Sequence, residues 1–208
     1  MGRILESPSL RRGLLLCMVL IGSAAGRQQL PGDLAEWSTG PIHWLLQSDE
    51  AHQYHRLETA DEARAFIQAF WERRNPAPGD PLNSYARDFF DRVAIADKLY
   101  AEEDLPGSLT ERGGALILLG PPSILRVFRR KIPALEANRP GRTGEMQEIP
   151  IEIWAYRRED VPDLVRAEPA IGESEEIALT FQLSGKHATL LDGRGVLRLA
   201  AKAAIRRP

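Results

Sequence analysis

Cysteine is nearly absent from this chain of 208 residues, which contains only Cys17. One cysteine cannot form an intramolecular disulfide, and it cannot supply the several thiolates of a structural zinc site. Histidine is also scarce, with four in the chain and no HExxH pair. The hydrophobic core must therefore stabilise the fold alone, and we predict neither a metal site nor a cofactor.

The chain also lacks an apolar run of transmembrane length. The apolar residues 13–22 follow Arg11 and Arg12 and precede small residues that end at Ala25. This run is shorter than the roughly 20 residues that span a bilayer, and its order is typical of a secretory signal peptide. We predict a cleaved signal peptide over residues 1–25, and hence a periplasmic or extracellular protein with no transmembrane span after cleavage.

The position of Cys17 within the apolar run raises the alternative of a lipoprotein anchor. The residue before it is Leu16 rather than a small residue, and further apolar residues follow it. We therefore expect no lipid at this cysteine.

A surplus of basic residues is missing as well. The formal net charge is −2, and residues 1–25 carry three Arg and one Glu, so the cleaved chain carries about −4. Proteins that bind nucleic acids usually carry a basic surplus. We therefore predict no nucleic-acid partner.

The remaining chain is long enough for one domain with its own core. Residues 26–40 have little apolar periodicity, and we predict a flexible lead-in there. Residues 41–192 carry the periodic segments and form the predicted domain. Residues 193–208 form a C-terminal tail, in which residues 196–205 fit either an amphipathic helix or a last strand.

Two amphipathic helices are predicted in the first half of the domain. Thr59 and Glu62 form a capping box before the first helix, which ends ahead of Pro76. The second helix starts at about Asn83 and has apolar residues along one face as far as Tyr100. The aromatic faces of this helical pair need a partner, and a sheet is the expected one.

The second half of the domain reads as strands. The continuous apolar run Ala115 to Leu119 fits a buried strand, and residues 124–128 fit an adjacent strand or a short helix. Alternating segments follow at residues 151–156 and 177–183, and residues 187–191 can pair with the latter. Long mobile loops are predicted over 133–149 and 158–175. The fold class is therefore α+β, with an N-terminal helical pair packed on a small, mainly antiparallel sheet.

In the order and spacing of several short motifs, the chain resembles the bacterial GWxTD domain family, whose members carry an FW…RDP segment, a GWxTDRG turn, a GPP turn and an EIW-Y strand. The match runs from about Trp44 to about Leu191. The matching residues are Phe70, Trp71, Arg74, Pro76, Gly107, Thr110, Arg112, Gly113, Gly120, Pro121, Pro122, Glu152, Ile153, Trp154 and Tyr156.

Three positions depart from the family pattern. Ser108 stands in place of the Trp, Glu111 in place of the Asp, and Asn75 in place of the Asp of RDP. The resemblance implies an exported bacterial protein, and the family is biochemically uncharacterised. If these positions serve an activity that the family shares, this chain is a degenerate copy.

Several parts of the motif have a structural explanation. Gly107 and Gly113 suit backbone requirements, and Thr110 and Glu111 can cap local amides. If Ala115 to Leu119 is a strand, the turns before and after it lie at opposite ends and cannot line one small pocket. GPP also lacks the glycines and lysine of a phosphate loop.

Histidine and arginine pairs on the helices have two interpretations. Ser48 can cap a short helix over residues 49–57, in which His52 and His55 could hold a divalent metal or form a solvated face. We expect the solvated face. For Arg74 we expect an ion pair that fastens the fold, with Asp88 or Asp91 as partner, rather than a ligand site.

The strongest charge pattern follows the GPP turn. Its candidate binding residues are Arg126, Arg129, Arg130 and Lys131, and four acids lie between Glu168 and Glu176. These charges can pair within the molecule, or they can form a surface for another envelope protein or an anionic polymer.

Two functions are open on the sequence. The first is a noncatalytic interaction module of the cell envelope, because no nucleophile or acid-base constellation is present. The alternative is an envelope hydrolase that uses carboxylates near Glu111 and Glu152 with Arg112. Convergence of these residues and a histidine in one pocket would favour the hydrolase.

Overall fold

A computed structural model describes residues 30–79, 81–133, 146–171 and 173–205 of the protein. The predicted signal peptide over residues 1–25, including Cys17, lies outside these residues. The described residues form seven α-helices and one four-stranded antiparallel sheet, which confirms the α+β class.

The elements follow one another in an order that places most helices first. The helices are α1 (Gly32–Glu36), α2 (Ser48–Tyr54), α3 (Ala60–Glu72), α4 (Ser84–Tyr100), α5 (Glu111–Leu119), α6 (Asp163–Arg166) and α7 (Arg194–Ala203). The strands are β1 (Ile124–Pro133), β2 (Met146–Arg157), β3 (Glu176–Ser184) and β4 (His187–Asp192).

The starts of α3 and α4 are as predicted. The Thr59 hydroxyl accepts a hydrogen bond from the Glu62 amide at 3.2 Å, and the Glu62 carboxylate accepts one from the Thr59 amide at 3.0 Å. The Asn83 side chain accepts one from the Ala86 amide at 3.0 Å. Short-range capping bonds of this kind depend on neighbouring residues only, which is why sequence patterns reveal them.

The cap of α2 differs from the prediction. Gln47, rather than Ser48, occupies the capping position, and its amide donates to the Glu50 carboxylate at 3.1 Å. The helix also ends at Tyr54, before the predicted end at residue 57. Glu50 in the first turn is placed by a distant ion pair, described below, which no local pattern reveals.

The prediction of a strand from Ala115 to Leu119 was wrong, because these residues belong to helix α5. The Thr110 hydroxyl caps this helix by accepting from the Gly113 amide at 3.1 Å. All residues from Gly113 to Leu118 are buried. A helix that is surrounded by protein needs no polar stripe, so its apolar run looks like that of a buried strand.

The sheet has the order β1-β2-β3-β4. Strand β2 pairs with the whole of β1, from Ile124 to Pro133. It pairs with β3 only from Ile151 onward. The β1–β2 pair therefore extends past β3 as a two-stranded ribbon.

Two predicted loops contain regular structure. Residues 146–149, predicted as part of a loop over 133–149, pair with β1, whereas residues 134–145 lie outside the described part of the chain. The predicted loop over 158–175 contains α6 and two 3-10 turns. Val161 and Val165 of this segment are buried. These corrections have one cause: long-range pairing and packing order segments whose own sequences look polar.

Both ends of the predicted domain also contribute to packing. Within the predicted lead-in, helix α1 buries Leu34, and Trp37 packs on the ring of Tyr54 at a centroid distance of 4.7 Å. The tail forms helix α7, with four buried apolar residues, which decides between the helix and strand alternatives. No helix in the described ranges is long and apolar enough to cross a membrane.

The aromatic face of α3 packs on preceding segments of the chain. Trp37 contacts Phe70 and Phe66, at centroid distances of 5.1 and 5.9 Å. Trp71 contacts Phe89 of α4 at 5.5 Å. Helix α4 in turn reaches the sheet through Tyr100, whose ring lies 5.3 Å from Trp154.

Candidate functional site

Strand β1 is an edge strand that is exposed on both faces. Every side chain from Ile124 to Lys131 is exposed, and Val127 keeps 60% of its surface accessible. Its backbone pairs with β2 on one side, and none of the described residues hydrogen-bonds to the backbone of its other side. Unpaired strand edges of this kind are sites where another extended chain can add.

The predicted binding residues lie on both faces of this strand. Arg129 and Lys131 share one face with Val127, because side chains alternate along a strand. Arg126 and Arg130 occupy the opposite face, which also carries the exposed ring of Phe128. Apolar and basic side chains are therefore interleaved along the whole exposed edge.

Arg126 takes part in an intramolecular ion pair. It donates two hydrogen bonds to Glu176 of β3, at 3.0 and 3.1 Å. These bonds raise the pKa of Arg126 and lower the pKa of Glu176. For this residue the structure supports internal pairing, which was one of the two explanations of the charge pattern.

Two of the other three basic residues share one carboxylate. Arg129 and Lys131 approach Glu148 at 3.7 and 3.8 Å. Arg130 has no ion pair with any of the described residues. Among the described residues, the ribbon end therefore carries three cations against one anion, with positive charge left for a partner.

The opposite edge of the sheet is closed by carboxylates. The amide of Ala188 on β4 donates to Glu102 at 3.1 Å, and the amide of Leu190 donates to Glu111. Glu102 also lies 2.6 Å from the ring of His187. Side chains thus occupy the outward amides of β4, whereas β1 keeps an open edge.

Glu111 and Glu152 lie in different contact networks. The carboxylate of Glu111 contacts Leu190 and Arg194, toward β4 and α7. Glu152 is buried and accepts a hydrogen bond from the indole of Trp154. The prediction that Glu111 caps a local amide was therefore wrong, because its carboxylate accepts from the distant Leu190 amide on β4.

Arg112 faces Glu152 rather than Glu111. Its guanidinium lies 3.6 Å from the Glu152 carboxylate and 5.1 Å from the ring centroid of Tyr100. It also donates to the carbonyl of Lys186 at 3.2 Å. The arginine and its carboxylate thus connect α5, α4 and the sheet, which is a structural arrangement.

The turn before α5 is held by its glycines and by Thr110. A Cβ atom on Gly107 would lie 1.9 Å from the Ala96 carbonyl oxygen, and one on Gly113 would lie 1.8 Å from the Gly107 oxygen. Ser108, at the family's Trp position, is buried. Its carbonyl accepts from the Trp44 indole at 2.7 Å. This part of the motif shapes a tight packing contact.

The GPP turn connects α5 to β1. Gly120 has a φ of 81°, and the Tyr156 hydroxyl donates to its carbonyl at 3.2 Å. Burial raises the pKa of Tyr156. Pro121 and Pro122 then lead into β1. Although α5 is a helix and not the predicted strand, this turn and the Thr110 turn still lie at its opposite ends.

Arg74 forms an ion pair, but its partner is Glu50 and neither Asp88 nor Asp91. Its two terminal nitrogens donate to the Glu50 carboxylate at 3.0 and 2.7 Å. Burial alone would raise the pKa of Glu50, but the hydrogen bonds from Arg74 and Arg73 outweigh it, so the pKa is lowered. Phe70 lies under the guanidinium, at 3.6 Å from its ring centroid.

The neighbouring residues of this motif segment are packed as well. Asn75, at the family's Asp position, is buried, and its side chain accepts from the amide of Ala77 at 3.1 Å. Pro76 separates the two and ends the helical segment. Trp71 packs between the helices, as described above.

His52 and His55 are exposed, on α2 and immediately after it. No group of three His, Cys, Asp or Glu side chains with metal-binding geometry occurs among the described residues.

Sequence reasoning missed a cavity beside His43. It has a volume of about 380 Å³ and lies between residues 43–48, α5, β4 and α7. Desolvation of the ring lowers the pKa of His43, although its bond to the Gly40 carbonyl acts in the opposite direction. The cavity walls come from four segments that are distant in sequence, so no short motif could reveal them.

The chain matches no family model, no curated protein and no solved structure. The resemblance to the GWxTD domain family therefore stays a prediction.

Proposed function

We propose that the protein is an exported, noncatalytic interaction module of the bacterial cell envelope, in the manner of a GWxTD domain. In this proposal the partner is a protein that presents an extended, acidic segment. The segment adds as a fifth strand along the open edge of β1. The pairing of helices α3 and α4 on the sheet is part of the proposal and supplies a rigid support for that edge.

The observation that carries the proposal is the contrast between the two sheet edges. The outward amides of Ala188 and Leu190 on β4 are occupied by carboxylates, but β1 has no such cover among the described residues. Long exposed edges with apolar side chains promote aggregation unless they are paired, covered or protected by charge. Since the opposite edge of the same sheet is closed, we explain the open edge of β1 by the docking of a partner strand.

The charge of β1 selects the partner's chemistry. Arg129 and Lys131 lie on one face of β1 and share one acid, Glu148, so a partner strand with carboxylates on alternate positions can place all of them beside this face. A second copy of β1 would bring two sets of cations together. Exposed Val127 and Phe128 add apolar contacts for the partner's own alternating side chains.

The hydrolase alternative receives no support from the geometry. Glu111 and Glu152 each hold structural groups, and they face different elements of the fold. General acid-base catalysis by a carboxylate pair requires both groups to face one substrate. His43, which lines the cavity with Glu111, is not accompanied there by Glu152.

The proposal can be tested with a blocked ten-residue peptide of alternating Glu and Val, added to the isotope-labelled full chain. We expect NMR shift changes and slower amide exchange concentrated at residues 124–131. The triple variant R129Q/R130Q/K131Q should weaken binding at least tenfold, because it removes the cations on both faces of this segment, whichever face the peptide's carboxylates adopt.

A matched control separates the site from general charge effects. The variant R56Q/R64Q/R87Q removes the same charge from exposed positions outside the sheet and should bind as the wild type does. Equal weakening in both variants, or shifts spread away from β1, would contradict the proposal. Capture from an envelope extract with the same two variants would then identify the natural partner.

A further inference from the structure

The cavity beside His43 combines an apolar floor with a basic rim. Its volume is about 380 Å³, at the lower end of the range for small-molecule sites. The lining residues are His43, Trp44, Leu46, Gln47, Ser48, Glu111, Leu118, Leu190, Arg194, Leu197, Arg198 and Ala201.

The floor is built from core residues of three elements. Leu118 of α5, Leu190 of β4 and Leu197 of α7 are each less than 10% exposed, and Ala201 lies one turn beyond Leu197. The small side chain of Ala201 leaves room beside these leucines. A ligand that enters the cavity therefore meets a surface that favours hydrocarbon.

The rim has one positive charge that forms no ion pair with the described part of the chain. Arg194 pairs with Glu111, whose other oxygen accepts from the Leu190 amide. Arg198 is exposed and forms no ion pair with any residue that the structure describes. Among the described residues that line the cavity, two guanidinium groups and one carboxylate leave a net charge of +1, with His43 neutral at pH 7.

We propose that this cavity binds the carboxylate of a medium-chain fatty acid, with Arg198 at the head group and the alkyl chain over Leu118, Leu190 and Leu197. One excess positive charge matches a monoanion rather than a polyphosphate. The apolar floor matches an alkyl chain, and Glu111 holds Arg194 in place on the rim. This site is separate from the β1 edge and does not depend on docking there.

The test is a calorimetric titration of the full chain with decanoate, kept below its micelle concentration. We expect saturable binding with one ligand per chain. Decanol tests the head group, because it keeps the alkyl chain and removes the charge, and it should bind at least tenfold more weakly. Acetate tests the floor, because it keeps the carboxylate and lacks the chain, and it should show no binding.

Two variants of α7 locate the site. Arg198→Gln removes the unpaired cation and should weaken decanoate binding about tenfold or more, since a charged hydrogen bond is lost. Lys202→Gln removes the same charge from an exposed position of the same helix that does not line the cavity, and it should bind normally. Ala201→Leu fills the cavity and should reduce binding at unchanged rim charge.

Three results would overturn the inference. These are the absence of saturable decanoate binding, equal affinity of the Arg198→Gln and Lys202→Gln variants, and equal affinity for decanoate and decanol. Thermal unfolding of each variant without ligand checks that the fold is retained. Arg198 and Lys202 are both exposed, so neither substitution should lower the unfolding temperature.

Discussion

Arg74 and Glu50 form a buried, bidentate ion pair that joins the end of α3 to the start of α2. The same guanidinium donates to the carbonyls of Phe70 and Leu45, at 3.0 and 3.2 Å. One arginine thus satisfies polar groups from three chain segments. Removal of the Glu50 charge leaves the buried Arg74 without a counter-charge, which costs more than loss of an exposed pair, whereas Glu50 also pairs with Arg73 at 2.9 Å.

Glu50→Gln should strongly destabilise the protein. We expect the free energy of unfolding at pH 7 to fall by about 3 kcal/mol, because the Arg74 charge stays buried without a counter-charge. Urea denaturation measures the change. Asp61→Asn, which breaks the exposed pair with Arg64, is the control and should have no measurable effect. Equal losses in the two variants would contradict a special role for the buried pair.

The same ion pair predicts a pH dependence. The pKa of folded Glu50 lies below the ordinary value of 4.5, so its contribution to stability is present above about pH 4.5. It is lost as the pH falls through the folded pKa. Unfolding free energies of wild type and Glu50→Gln should therefore converge between pH 4.5 and the acid limit of folding. A difference that stays constant over this range would argue against the assigned pair.

Gly107→Ala should destabilise the turn before α5. The new Cβ would lie 1.9 Å from the Ala96 carbonyl oxygen, so the backbone of two elements must move apart. We expect a loss of about 2 to 3 kcal/mol in the free energy of unfolding. Gly195→Ala is the matched control, because its Cβ meets nothing within 4 Å inside helix α7. That change should be neutral or stabilising by about 0.5 kcal/mol, and similar losses at both positions would refute the packing argument.

Glu111→Ala should open the edge of β4. The Leu190 amide loses its acceptor, and Arg194 loses its ion pair. We expect a stability loss of about 1 to 3 kcal/mol and amide exchange at Leu190 that is at least tenfold faster. Glu103→Ala changes an exposed acid nearby and should leave the exchange rate unaltered. Protection of Leu190 that survives in Glu111→Ala would show that another group closes this edge.

Local chemistry determined a large part of the helical architecture. The capping box of Thr59 and Glu62 and the cap at Asn83 depend on residues a few positions apart. Strand β3 was recognisable because one of its faces packs on the core, which imposes alternation. Strand β2 has buried side chains on both faces, such as Trp154 and Ala155. The basic character of residues 126–131 was also plain from the sequence, although its meaning was open.

Only the tertiary structure decided what those residues contact. Glu50 rather than Asp88 or Asp91 faces Arg74, because that partner is set by how α2 packs on α3. Residues 115–119 form a helix whose sequence resembles a buried strand, because burial of Gly113 to Leu118 removes the need for the polar stripe that marks a helix.

The two candidate sites were also decided only by the tertiary structure. The open edge of β1 and the closed edge of β4 exist only once strand order is set, and the cavity beside His43 needs walls from four distant segments. Neighbouring residues determine caps, turns and periodicity through short-range bonds and side-chain direction. Edges, ion-pair partners and cavities depend on contacts between distant segments, so they appear only in the folded chain.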